Sequence, residues 1–228
     1  MDKTAIRDAA TVILLRDGAL GPAVLMGQRS ATAAFMPSKF VFPGGAVDRS
    51  DAQVPFAAPL NATCAGRLRQ NSGLAPDTLA AAAIRELFEE TGQRLSRPGS
   101  WPLAPLDWLG FAAGGHLPDA SALRFIFRAI TPPGNPRRFD ARFFLADALA
   151  LATDPDDFSL AAPELSALHW VPLATVRSLA LPLITRIVLA ELSAMLRGEG
   201  ATAVPFLRHD DAADPFTRPE GQSPLEGA

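Results

Sequence analysis

Tyrosine is absent from this 228-residue sequence, and cysteine occurs once, at Cys64. A lone cysteine excludes an intramolecular disulfide, so the fold must stand on its core, and a reducing, cytoplasmic location is expected. With no histidine-bearing motif beside it, Cys64 reads as a packed thiol and not a nucleophile. Histidine is scarce too: His116, His169 and His209 are scattered with no metal-ligand spacing. Lysine occurs only at Lys3 and Lys39. The net charge of −3 lacks the basic surplus that marks a nucleic-acid partner. No apolar run reaches ~18 residues, so no membrane span is expected. The start, Met1-Asp2-Lys3-Thr4, has no apolar segment, so no secretory signal is expected there.

What is present is enough for a core without staples: 48% of residues are hydrophobic and 20% charged. The length favours one domain, over residues 1–204, carrying an insertion at 48–76 and followed by a flexible tail at 205–228. Residues 11–16 and 23–29 are apolar runs around Asp17-Gly18, which reads as a hairpin. Phe40-Val41-Phe42 is a short strand stopped by Pro43, and Gly44-Gly45 suits a tight loop. Within the insertion, residues 61–70 suggest a short helix. Residues 78–91 form the clearest helix, with Pro76-Asp77 as its expected N-cap and Gly92 as its stop. Strands are expected at 108–112, 123–130, 143–146 and 168–171, with a turn at Gly114-Gly115. A closing helix is expected at 181–197, ended by Gly198. Trp101 and Trp108 read as core or surface aromatics. Strands, a helix, more strands and a last helix imply an α/β (α+β) architecture, a mixed sheet between helices.

The chemistry is concentrated in Arg85-Glu86-Leu87-Phe88-Glu89-Glu90-Thr91-Gly92. Residues three and four apart share a helix face, so Glu86, Glu89 and Glu90 crowd together where like charges repel. Ile84, Leu87 and Phe88 supply apolar contacts on the other side. Arg85, four residues before Glu89, is placed to orient it by a charge-assisted hydrogen bond. Such a cluster, taken bare, is more often a solvated acidic face. It is also what a hard divalent cation requires.

Phe42-Pro43-Gly44-Gly45 upstream, with the run Arg85 to Gly92, resembles the Nudix box, whose second half is R-E-U-x-E-E-x-G with U aliphatic. Forty residues (85 − 45) separate the second glycine from the arginine, longer than the usual spacer, which marks the insertion. The acidic position in the first half of the box falls to Asp48, Asp51 or Asp77. A closer similarity is to the branch related to the peroxisomal coenzyme A diphosphatase. It rests on Val24-Leu25-Met26-Gly27-Gln28-Arg29-Ser30, on Phe35-Met36-Pro37, and on the stretch from Phe40 to Gly45. It continues in Ile130-Thr131-Pro132 and Arg137-Arg138-Phe139-Asp140-Ala141-Arg142-Phe143-Phe144. There Ala141 replaces the usual threonine and Ile130 a bulky aromatic.

The resemblance implies a Nudix fold and hydrolysis of a diphosphate bond in a small nucleotide-like substrate, with CoA or acyl-CoA first. ADP-ribose, a nucleotide sugar or a dinucleoside polyphosphate is the enzymatic alternative. A non-catalytic metabolite-binding module is the alternative of another class, disfavoured because all three box carboxylates are present. The implied cofactor is Mg²⁺ or Mn²⁺, held by Glu86, Glu89, Glu90 and the Gly45 backbone carbonyl, with Arg85 as orienter. Glu164, six residues before Trp170, is a candidate base or further ligand, set against a plain loop carboxylate. Arg137, Arg138 and Arg142 are candidate phosphate contacts, set against a structural corner around Asp140. Arg29 and Lys39, flanking the glycine pair, are candidates for the same role. A homodimer is left open.

Overall fold

The computed structural model describes residues 5–199 and 203–208, and the backbone of 216–217. Four helices and a nine-stranded sheet dominate it. Strand β1 (Ile6–Gly18) turns at Ala19-Leu20 into β2 (Gly21–Arg29), the expected hairpin. Strand β3 (Phe40–Val41) lies on the far edge of β2. Gly44 and Gly45 do not form a loop. They belong to β4 (Gly44–Ala46), antiparallel to β1 with Gly45 opposite Ala10. A Cβ at Gly44 would stand 2.6 Å from the Ala10 carbonyl and Thr11, so only glycine allows this approach.

Helix α1 (Ala62–Arg69) is capped by the Asn61 carboxamide, as residues 61–70 suggested. Helix α2 (Pro76–Thr91) carries Pro76 in its first turn. Its N-cap is Ala75, with no side-chain cap, so Asp77 lies inside the first turn and not at the cap. Gly92 ends α2 at φ 76°, a left-handed stop. The short strand β5 (Ser96–Pro98) follows. Residues 108–112 are not a strand but a helical turn, α3 (Leu109–Ala112), entered through a 3₁₀ turn. Trp108 and Phe111, three apart, are fully buried while Leu109 is exposed, a helical period that a five-residue apolar run does not reveal.

Strand β6 (His116–Pro118) pairs with β5, and β7 (Arg124–Ile130) with β8 (Arg138–Asp147). Strand β8 runs parallel to β1 along its whole length, and β9 (Leu165–Pro172) joins β2. Helix α4 (Leu183–Leu196) closes the main sequence. The expected tail at 205 begins instead as β10 (Phe206–Leu207), parallel to β7, with Phe206 buried under Arg128. Strand β11 (Phe216–Thr217) pairs with β10. The rest of the tail, with His209, lies outside the described residues.

The sheet is mixed and helices cover both faces. One face packs Val12, Leu14, Leu25 and Phe144 against α1 and the alanine-rich α2. The other packs Ile13, Met26, Phe127 and Phe143 against Val188, Leu189 and Leu192 of α4. Alternation along β1 sends successive side chains to these two cores. Among the described residues no helix is long and apolar enough to cross a membrane.

Candidate active site

Helix α2 brings its acidic side to the glycine strand. Glu90 is buried, and its Oε2 accepts the Gly44 N–H at 2.7 Å. A Cβ at Gly45 would stand 2.5 Å from the Glu86 carboxylate, so the second glycine lets that carboxylate lie directly against backbone. The two glycines are therefore spaced to meet two carboxylates one helical turn apart.

Arg85 holds the group together from beneath. It is buried, and its NH1 donates to Glu86 and Glu89, each at 2.9 Å. It also donates two bonds to Asp51, at 2.9 and 3.0 Å, and one to the Ala46 carbonyl at 3.0 Å. The expected contact with Glu89 is present, and Asp51 is a further partner, itself 1% exposed. Of the three aspartates left open by the sequence, Asp51 reaches the site. Asp48 caps the 3₁₀ turn that presents Asp51, and Asp77 lies in the first turn of α2.

Burial pushes Glu86 up to about 7 against the pull of Arg85. It also raises Glu89, against the same pull. Glu90 is raised well above the carboxylate range, by burial first and by the charges of Glu86 and Glu164. Five carboxylates (Asp51, Glu86, Glu89, Glu90, Glu164) face two guanidiniums (Arg85, Arg29) here. Among the described residues no three carboxylate, histidine or cysteine groups already converge as a cation cage. Glu86 and Glu89 are turned onto Arg85, and Glu90 onto Gly44. The donor chemistry is nonetheless all oxygen and short of positive charge, which suits a hard cation.

Glu164 lies at the mouth of the adjoining pocket and pairs with Arg29 at 3.2 Å. The loop that carries it is fixed by a residue the sequence reading passed over. Gln93, fully buried just after α2, donates to the carbonyls of Asp154 (3.1 Å) and Asp157 (2.8 Å) and accepts from Thr153 (2.6 Å). Ala162 then donates to the Glu89 carbonyl at 2.8 Å. Gln93→Leu leaves two inward carbonyls unpaired, so a loss of ~1–3 kcal/mol in denaturant unfolding is expected. Unchanged stability would show that the loop holds without it.

The pocket is a cavity of about 460 Å³ on the α4 side of the sheet. Arg29, Gly45, Glu86, Glu164 and Arg137 line it. Lys39 does not. Arg138 and Arg142 do not line it either. Side chains alternate along β8, and the pocket face takes Phe139, Ala141 and Phe143. Arg142 on the opposite face is buried against Asp8, the Asp140 carbonyl (2.7 Å) and Ser72. Arg138 donates to the Thr131 carbonyl at 3.1 Å. These two are the structural corner, built with Arg128, which grips Asp140 at 2.6 Å. Trp108 is buried against Trp101 and Phe111, and Cys64 is buried and pushed up to about 11, an inert thiol. His116 bonds Ser96 and His169 the Ala167 carbonyl, both away from the carboxylates.

A family model for the NUDIX domain matches residues 5–192. The chain belongs to the Nudix family. Among curated proteins it is similar to putative nudix hydrolase 7 of Caenorhabditis elegans, 29% identical over 160 residues, covering 65% of this chain and 46% of that one. It is similar also to acyl-coenzyme A diphosphatase NUDT19 of Gallus gallus, 29% identical over 230 residues, covering 72% of this chain and 60% of that one. The chain thus spans about half the length of the curated relatives it matches. A Nudix hydrolase crystal structure from Alicyclobacillus acidocaldarius is 35% identical, with a TM-score of 0.62, covering 84% of this chain and 92% of that one. The Nudix domain of Shewanella oneidensis NrtR, solved with ADP ribose, shares the fold at 13% identity and TM-score 0.50, covering 85% of this chain and 90% of that one.

Proposed function

We propose that this Nudix chain is a hydrolase that cuts a diphosphate bond in a nucleotide-linked substrate with the help of Mg²⁺ or Mn²⁺, and that the substrate is CoA or acyl-CoA. The observation that carries the reaction class is the charge imbalance around Glu86, Glu89 and Glu90 at the edge of a substrate-sized pocket. The similarity to an acyl-coenzyme A diphosphatase supports the substrate.

Glu86, Glu89, Glu90 and the Gly45 carbonyl would hold the cation. Bound there, it would offset negative charge on the diphosphate and lower the pKa of water. Arg85 and Asp51 keep the carboxylates in place, as outer partners do around other cations. Glu164 accepts the proton from the attacking water, with Arg29 orienting its carboxylate. The water oxygen bonds phosphorus as the bridging P–O bond breaks, leaving two phosphate monoesters. The cavity volume fits a nucleotide-sized ligand.

The test is a substrate panel with Mg²⁺ and with Mn²⁺, products identified by mass. CoA is expected to give adenosine 3′,5′-bisphosphate and 4′-phosphopantetheine. A wide preference for ADP-ribose or a nucleotide sugar would overturn CoA and keep the hydrolase. No cleavage of any diphosphate with either metal would leave the binding module as the better reading.

A further inference from the structure

The two ends of the pocket carry opposite charge. Glu86 and Glu164 line one end beside Gly45, and Arg7 and Arg137 line the other. The parallel pairing of β1 with β8 builds the second end, since Arg7 stands opposite Phe139. Alternation puts Arg7 on the pocket row of β1, where it is the outermost residue. Arg137 lies two residues before Phe139, just ahead of β8, and also lines the pocket. Gly45 pairs with Ala10, three residues from Arg7. The two ends therefore stand roughly 10 Å apart along the strand, at ~3.3 Å per residue.

These arginines differ from their neighbours. Arg128 and Arg142 are taken up by the carboxylates of Asp8 and Asp140 on the opposite face. Among the described residues neither Arg7 nor Arg137 has an ion pair or a side-chain hydrogen bond, and both are exposed. The wall between the two ends is apolar, with Phe139 meeting Phe35 edge to face at 5.6 Å between centroids. A ligand that spans the cavity thus meets a cation-holding end, an aromatic middle and a guanidinium end. A solvated pair of arginines needs no such placement.

We propose that Arg7 and Arg137 form a second anion subsite, which takes a phosphate monoester carried by the substrate away from its diphosphate. This rests on reading the pocket as the substrate site. Guanidinium forks match phosphate oxygens in pairs, and an anion here would balance a charge that no carboxylate among the described residues balances. A diphosphate with no further anionic group leaves this end unused.

The test compares two ligands that differ by one phosphate, adenosine 3′,5′-bisphosphate and adenosine 5′-monophosphate. Affinities are measured by calorimetry on the whole chain with Mg²⁺. The bisphosphate is expected to bind at least ~10-fold tighter, as one charged hydrogen-bonded contact gives. The double variant Arg7→Gln, Arg137→Gln should bring the two ligands within about twofold, with affinity for the monophosphate kept. Retained preference in the double variant, folded by circular dichroism, overturns the subsite. Equal affinities in the unaltered chain, with inorganic phosphate binding that the double variant loses, would make the pair a site for free phosphate and likewise overturn it. Turnover in the same samples separates this from the reaction itself. A chain that hydrolyses no diphosphate but keeps the arginine-dependent ratio loses the proposed reaction and retains the subsite.

Discussion

Glu90→Gln is expected to lower turnover at least ~100-fold while the metal-free protein becomes no less stable. The two effects have opposite signs because one charge serves both. Glu90 is 3% exposed, and its ionisation is opposed by burial and by Glu86 and Glu164. Removing the charge relieves that opposition, and the amide oxygen still accepts the Gly44 N–H now held at 2.7 Å. With Glu90 as a cation ligand, as proposed, a ligand charge is lost at the same time, and with it the stabilisation of charge developing on the phosphates. The measurement pairs kcat at saturating Mg²⁺ with melting in chelator. Turnover near that of the unaltered chain would remove Glu90 from the proposed cation site. A large drop in the melting temperature would make it a structural carboxylate instead.

Arg85→Lys is expected to weaken cation affinity by ~10- to 100-fold although the charge is kept. One guanidinium reaches Asp51 twice and Glu86, Glu89 and the Ala46 carbonyl once each. A single ammonium cannot span them. Asp51 then sits buried with an incomplete partner. Outright removal of one member of a buried pair costs about 3–5 kcal/mol, and lysine should cost less than that. Titration with Mn²⁺ beside denaturant unfolding checks both parts. If Asp51→Asn leaves cation affinity untouched while Arg85→Lys lowers it, Arg85 acts on the glutamates directly and the aspartate serves only stability.

Much of the fold was legible because its signals are local. Gly92 as a helix stop, Asn61 as a helix start and the β1–β2 hairpin follow from backbone preferences of a few residues. The misread stretch, residues 108–112, is too short for a period to show, and its helical turn is set by the burial of Trp108 and Phe111. The strand at Phe206–Leu207 was hidden for another reason: its partner, β7, lies some eighty residues earlier (206 − 128 = 78), and a pairing at that distance leaves no local trace.

The site divides the same way. The spacing of Glu86, Glu89, Glu90 and Arg85 on one helix fixes their common face, so the sequence alone determined the acidic cluster, its orienting arginine and the family. What lies within one helical turn is set by helix geometry. Only the tertiary structure chose Asp51 among three aspartates, brought in Gln93, and sorted the arginines. The parallel register of β1 and β8 turned Arg7 into the pocket and sent Arg138 and Arg142 to the other face, and the turn just ahead of β8 brought Arg137 to the pocket. A strand shows its residues to alternate sides, and which side faces the pocket is decided by the neighbouring strands and helices, not by the order of residues in the strand.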